Sequence, residues 1–375
     1  MLLFSYILLI TWVLTLVRTI LNLVTTPPLR TRMPRAFPLV SAIVPARDEE
    51  RMVERTVRAL LGQTYPALEV IVVNDRSVDA TAAILEHVRR EDPRLIVVTG
   101  EEPPPGWLGK PWALHEGSRR ANGELLLFLD ADVIYHPDAV AAAVAEIEEN
   151  GSDLVALLPH IDMHGFWEHV VMPNLAFSLF ALLPIWLANR TRIALLAVGG
   201  GPGNLVRRAG YDAAGGHTAL KDAVVDDVAL ARLIRRSGRR TVAVSAEKYV
   251  RVRMYHGLRE MVEGFTKNAF AVFGYNYFVA FAFFAIAVVF HILPYALALT
   301  GSAIALATIG LIALTRVILF ARLGYRMDNA LLAHPLMVGS WCWILVRSVW
   351  VTGIRRRLHW RGRTYDASRT RFGAD

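Results

Sequence analysis

Apolar runs long enough to cross a bilayer stand at both ends of the chain, with a charged strand-and-helix pattern between them. Residues 2–24 are largely apolar, with Arg18 their one charge, and match the roughly 20 residues that span a hydrocarbon core. No small-residue cleavage site of the A-x-A kind follows, so the run reads as a retained anchor rather than a cleaved signal. Residues 269–320 form a longer apolar stretch broken at Thr300-Gly301-Ser302, which reads as two crossings joined by a tight turn. A third run, 331–351, carries His334 and Arg347. A charge at the bilayer centre costs about 2.5–3.5 kcal/mol on insertion scales, so this segment is expected to be re-entrant or interfacial. Together the runs explain a hydrophobic content of 54% and a mean hydropathy of +0.37, too apolar for a purely soluble chain.

The net charge of +8 is concentrated beside these runs. Arg30, Arg32 and Arg35 follow the first, and Arg355, Arg356, Arg357, Arg361 and Arg363 follow the last. Positive charge is retained on the cytoplasmic side and attracted to anionic lipid, so the expected place is the cytoplasmic (inner) membrane, multi-pass, with the globular part facing the cytoplasm. No basic stripe interleaved with aromatics crosses the soluble part, so nucleic acid is not an expected partner. The single cysteine, Cys342, excludes an intramolecular disulfide and a cysteine-rich metal site.

Five regions follow: an anchor over 1–26, a basic proline-marked linker over 27–38, a globular part over 39–268, membrane helices over 269–352 and a basic tail over 353–375. In the globular part, apolar strands at 39–44, 69–73, 95–98 and 125–129 alternate with helical periods at 49–61, 81–90, 112–121 and 137–149. Such alternation implies an α/β, Rossmann-like, mostly parallel sheet with helices on both faces. Residues 166–198 are rich in Phe, Leu, Trp and Ala but are broken by Pro173, Pro184, Asn189, Arg190 and Arg192. They read either as a core helix pair or as a membrane-interface segment with Trp167 and Trp186 at headgroup level.

Carboxylates stand at the ends of these strands, where open α/β sheets bind ligands. Asp75 ends Ile71-Val72-Val73-Asn74; it accepts a base N–H or caps the following helix. Asp130 and Asp132 emerge after the buried run 126–129, close enough for one hard cation that also takes diphosphate oxygens. Lys110, in the loop Gly106-Trp107-Leu108-Gly109-Lys110-Pro111, is a candidate phosphate partner. Asp226 and Asp227 open a helix ending in basic residues; they complement its dipole, and a carboxylate there also serves as a base toward a hydroxyl. The glycines 199–201 admit an acceptor or form a tight structural turn.

The assembled pattern resembles the inverting family-two glycosyltransferases with a GT-A fold, over residues 39–268. Trp107-Leu108-Gly109-Lys110, Gly199-Gly200-Gly201 and Gly264-Phe265-Thr266-Lys267-Asn268, with membrane segments at both ends, look like the bacterial lipid-modifying branch that includes hopanoid-associated and carotenoid-acid enzymes. The resemblance implies a donor-base loop at Pro45, Ala46 and Glu49, a base contact at Asp75 and a nearby basic residue at Lys110. It further implies Asp130 over the ribose and at the metal, Asp132 as metal ligand, and Asp227 as catalytic base with Asp226 beside it. Lys267 stands where processive members carry Q-x-x-R-W, and the missing motif argues against polymer synthesis. The implied activity is hexosyl transfer of a single sugar, with Mg²⁺ or Mn²⁺, from a UDP-type nucleotide sugar to a lipid or other hydrophobic acceptor. Gly200, Gly201 and Trp186 are the acceptor-side candidates. A nucleotidyltransferase would show a Gly-rich basic phosphate loop after the first strand, which Pro45-Ala46-Arg47-Asp48 is not. A membrane scaffold or sugar-nucleotide sensor that has lost turnover is the alternative outside catalysis.

Overall fold

A computed structural model describes residues 2–328, 333–360 and 363–371, and the chain forms two compact units. The first comprises Pro27–Asp162, Leu187–Met254 and the described tail residues 369–371. Its strands are β1 (Val40–Ala46), β2 (Leu68–Asn74), β3 (Leu95–Thr99), β4 (Leu125–Phe128), β5 (Val133–Tyr135), β6 (Leu154–Leu158), β7 (His160–Ile161), β8 (Asn204–Arg207), β9 (Thr241–Ser245) and β10 (Val250–Val252). Seven of them make one sheet in the order β3-β2-β1-β4-β8-β6-β9. The sheet is parallel except at β8, which runs antiparallel to both neighbours. Strands β4, β6 and β9 are buried along their whole length, and a strand covered on both faces reads as a continuous apolar run. The expected α/β architecture is therefore found. Strand order brings the ends of β1, β4 and β8 together, although β8 lies far along the chain from the other two.

Two boundaries differ from expectation. The helix expected from residue 49 begins at Val53, because the backbone of residues 48–50 is hydrogen-bonded to the loop after β2. The start of the linker is part of the sheet edge: Leu29 N–H donates to Ser245 O at 2.8 Å and Ser245 N–H to Pro27 O at 2.9 Å.

The second unit gathers residues 2–26, Met163–Trp186 and Tyr255–Ser368. Among the described residues, four of its helices are long and apolar enough to cross a membrane: Leu2–Thr25, Tyr277–Ala298, Ala303–Leu323 and His334–Ile354. The first buries Leu8, Trp12, Thr15, Thr19 and Asn22 and exposes Leu3, Leu14, Val17 and Val24. A polar seam inside and an apolar face outside is the arrangement lipid favours, since burial of apolar surface gives no drive there. The turn expected at 300–302 is present, with Gly301 at φ +79 and Ser302 Oγ accepting Ala305 N–H. The helix before it begins at Tyr277 rather than near 269, because a separate amphipathic helix, Gly257–Ala269, ends there. Asn276 Oδ1 then accepts the N–H groups of Phe278 and Val279. Arg347 is satisfied within the protein, donating to Thr266 Oγ1. Of the run expected at 331–351, residues 331 and 332 lie outside the described residues. The run 166–198 forms short, broken helices rather than a helix pair; its part up to Trp186 belongs to this unit.

Two prolines remove helical donors in this unit, and the first helix replaces both. Pro184 has no N–H for Phe180 O, and Pro294 has none for Phe290 O. Asn22 Nδ2 donates to Phe180 O at 2.7 Å, and Trp12 Nε1 donates to Phe290 O at 2.8 Å. Asn22 also donates to Leu183 O and accepts Trp186 N–H, so a fully buried amide is satisfied at both ends. Replacing it, Asn22→Leu, is expected to destabilise the protein by about 2–4 kcal/mol, since backbone groups left unsatisfied in an apolar interior cost about 1–3 kcal/mol each. Unfolding of the detergent-solubilised variant measures this, and an unchanged midpoint contradicts it.

Candidate active site

The ends of β1 and β2 form a stitched cradle. Their parallel register sets Pro45 beside Val73 and Ala46 beside Asn74. Asp75 N–H donates to Ala46 O at 2.8 Å, and Arg47 Nη1 donates to Asp75 O at 2.7 Å. Asp48 N–H donates to Ser77 Oγ, Val78 N–H to Asp48 Oδ1, and Glu49 N–H to Thr81 Oγ1. Two residues with side chains, Asp48 and Arg76, take the left-handed region at φ 53 and 54. Strain of this kind costs on the order of 1–3 kcal/mol and persists only where surrounding bonds over-determine it. The buried Asp75 thus sits on a fixed shelf at the carboxyl edge of the sheet.

In the same unit, a lysine bridges two acidic sites. Lys110 opens the helix Gly109–Arg120; its ammonium lies 2.7 Å from Asp130 Oδ1, after β4, and 3.3 Å from Asp226 Oδ1. Asp226 and the half-buried Asp227 begin the helix Asp226–Arg236. All four residues line one cleft, with Gly200 and Gly201. Burial opposes the ammonium, but the carboxylates of Asp130, Asp226 and Asp227 hold it well above the ordinary lysine range. Burial raises the Asp226 carboxyl to about 6; Lys110 opposes the rise, and Asp227 and Asp130 add to it.

Glycines and one asparagine lock this arrangement. A Cβ on Gly201 would overlap the Asp130 carboxylate, and one on Gly199 would overlap the backbone of Asp227. Gly201 O accepts Asp130 N–H at 2.9 Å. Asn204, heading β8, accepts Gly200 N–H at 3.3 Å and donates to Asp227 O at 3.1 Å. From the far end of the chain, Arg371 makes a bidentate pair with Asp222, at 2.7 and 2.8 Å, and bridges to Ala223.

A family model described as "Glycosyl transferase family 2" matches residues 41–186. That segment is less than half of the chain, and it is similar to this family. Two curated relatives are 4,4'-diaponeurosporenoate glycosyltransferases. One, from Staphylococcus aureus, is 27% identical over 237 residues, and one from Staphylococcus haemolyticus is 24% identical over 232 residues. Each match covers 61% of this chain and 60% of the relative, so the chain spans about three fifths of the length of these relatives. Among solved structures, the mannosyltransferase from Pyrobaculum calidifontis in complex with GDP-Man and Mn²⁺ is similar in fold, with TM-score 0.54 and 18% identity, over 94% of this chain and 97% of that one.

Of the site expected from sequence, the structure brings together Lys110, Asp130, Asp226, Asp227, Gly200 and Gly201. Lys110, expected as the basic residue near Asp75, joins Asp130 to Asp226. Asp130, expected at the metal, is therefore also an ion-pair partner. Asp132 immediately precedes β5 and is outside the cleft lining, and Pro45, Ala46 and Glu49 belong to the cradle. Lys267, on the helix Gly257–Ala269, and Trp186 belong to the other compact unit. Asn204 and His217 line the cleft without having been anticipated. Only the paired glycines before His217 gave a signal there, since Gly-Gly marks a turn.

Proposed function

We propose that this chain is a membrane-bound, inverting, non-processive transferase that moves one hexosyl group from a nucleotide sugar of the UDP type to a lipid-like acceptor. The observation that carries this is Lys110 held between Asp130 and Asp226 in one cleft, which joins the donor-side and acceptor-side carboxylates on one cation. The donor base rests against Asp75, and Lys110 faces the diphosphate. Asp227 takes the proton of the attacking hydroxyl as the new C1–O bond forms and the C1–O bond to the diphosphate breaks, on opposite faces of the sugar. A single displacement inverts the anomeric carbon. The staphylococcal relatives support a carotenoid-like acceptor through their names alone; a carboxylate acceptor would attack without giving up a proton. The absence of Q-x-x-R-W around Lys267 supports transfer of one sugar only.

The site fits a divalent cation by its donor set. Asp130 and Asp132 follow β4 one residue apart, and hard carboxylate oxygens suit Mg²⁺ or Mn²⁺, which complete their shells with water and substrate phosphates. Asp132 and Asp130 would hold it, and among the described residues no group of three His, Cys or acidic side chains is arranged to chelate without the donor. When bound, it supplies charge neutralisation on the leaving diphosphate. The purified protein with UDP-glucose, UDP-galactose and UDP-N-acetylglucosamine tests the proposal. At least one donor should bind and release UDP only when lipid extract is added, and EDTA should weaken its binding about tenfold or more. Full turnover in EDTA overturns the metal, and no binding of any nucleotide sugar overturns the function. In addition, kcat/KM should fall as pH drops through about 6, because protonated Asp226 no longer pairs with Lys110. A flat acid profile contradicts this.

The proposed location is the cytoplasmic membrane with the sheet unit and the tail on the cytoplasmic face. Arg371 packs on the sheet unit at Asp222 and Ala223, which supports an even number of crossings between residues 254 and 371. Of the three candidate helices there, His334–Ile354, carrying Arg347, is the one proposed to be re-entrant. Cysteines introduced after Arg363 in a Cys342→Ser background should resist a membrane-impermeant reagent in intact cells, and labelling from outside contradicts this topology.

A further inference from the structure

His217 lines the cleft with Lys110, Asp226 and Asp227, and nothing in the mechanism above uses it. The chain reaches it through Gly215 and Gly216, both left-handed at φ +89 and +51. A Cβ on Gly216 would overlap the Tyr211 ring, so the turn is built around that ring. The Tyr211 hydroxyl accepts His217 N–H at 3.0 Å and lies 2.7 Å from His217 Nδ1. Ser118 Oγ is 3.2 Å from the same hydroxyl and spends its own proton on His115 O. Tyr211 has one proton to give. It goes to Ser118 Oγ, so the 2.7 Å contact is made by Nδ1–H donating to the phenol oxygen, and the lone pair stands on Nε2, the ring nitrogen that no described residue engages.

Burial, with the Lys110 and His115 charges adding to it, pushes the imidazole down to about 3. The group is therefore neutral at working pH. A neutral acceptor is a poor partner for a diphosphate, which Lys110 already faces, and a good one for a hydroxyl proton. The rest of the cleft suits a polyhydroxylated ring: Asp130 and Asp227 accept from hydroxyls, while Leu114, Phe128 and Leu230 offer an apolar wall. We infer that His217 is a sugar-reading residue, held by Tyr211, whose Nε2 accepts from a hydroxyl of the sugar being transferred. The inference rests on the nucleotide-sugar reading and names the residue that distinguishes the sugar from its nucleotide.

The test compares wild type, His217→Leu, His217→Gln and Tyr211→Phe in full-length detergent-solubilised protein by calorimetric titration. The probes are UDP and the nucleotide sugar that wild type binds tightest among UDP-glucose, UDP-galactose, UDP-N-acetylglucosamine and GDP-mannose. His217→Leu should weaken the nucleotide sugar about tenfold while leaving UDP within about twofold. His217→Gln, which keeps a side-chain acceptor, should recover part of the loss. Tyr211→Phe should show a smaller, equally sugar-selective loss. If His217→Leu does not fold, the Gln and Phe variants carry the comparison. Equal weakening of UDP and nucleotide sugar, or no weakening of either, overturns the sugar-reading role while leaving the proposed function in place. Failure of wild type to bind any of these nucleotides overturns the function itself.

Discussion

Asp227→Asn is expected to bind nucleotide sugar as tightly as wild type and to turn over on the order of 10²–10⁴ times more slowly with a hydroxyl acceptor, the usual range for a lost general base. Asp226 is an unfavourable candidate for that role, because it is buried and its carboxylate is committed to Lys110. Asp227 starts the same helix, is half-buried and lines the cleft. The size of the loss also reports the acceptor. A carboxylate acceptor has no proton to give, so the same variant should then lose no more than about tenfold. Single-turnover rates with titrated donor affinity separate the outcomes. A loss that moves to Asp226→Asn, with Asp227→Asn near wild type for hydroxyl acceptors, transfers the base to Asp226.

Lys110→Met should be the most damaging substitution in the cleft for stability. It leaves Asp130, Asp226 and Asp227 facing one another without their counter-charge, and breaking a buried ion pair by removing one partner costs about 3–5 kcal/mol. The Lys110 side chain is only 22% exposed, so solvent screens little of this. The loss should shrink as pH falls, starting above about 6, because Asp226 without the Lys110 charge that holds its carboxyl down protonates more readily and so removes part of the repulsion. A purely steric defect would not respond to pH. Denaturant unfolding across that range measures both effects, and a Lys110→Met protein as stable as wild type at neutral pH contradicts the assigned charge balance.

The buried strands and the carboxylates that follow them were legible from sequence because both depend on short-range pattern. A continuous apolar run covered on both faces must end at a sheet edge, and Asp75 and Asp130 follow such runs. The partner of Lys110 was not legible, since it depends on β4 lying between β1 and β8, and strand order leaves no local trace. Strand β8 is antiparallel and four residues long, too short for a periodic signal, so Asn204 went unnoticed. Pro184 and Pro294 were visible as breaks. Their replacement donors, Asn22 and Trp12, lie 158 and 278 residues from the carbonyls they serve, and nothing local joins them.

The central claim is transfer of one sugar from a nucleotide sugar to a lipid-like acceptor at the Lys110–Asp130–Asp226–Asp227 cleft. Mass spectrometry of lipid extracts from cells expressing wild type and Asp132→Ala measures it most directly. The account predicts an apolar species heavier by a single sugar residue in wild-type extracts, absent with Asp132→Ala. Wild-type extracts without any glycosylated lipid, a ladder of several sugars, or the same species at full yield from Asp132→Ala would contradict it.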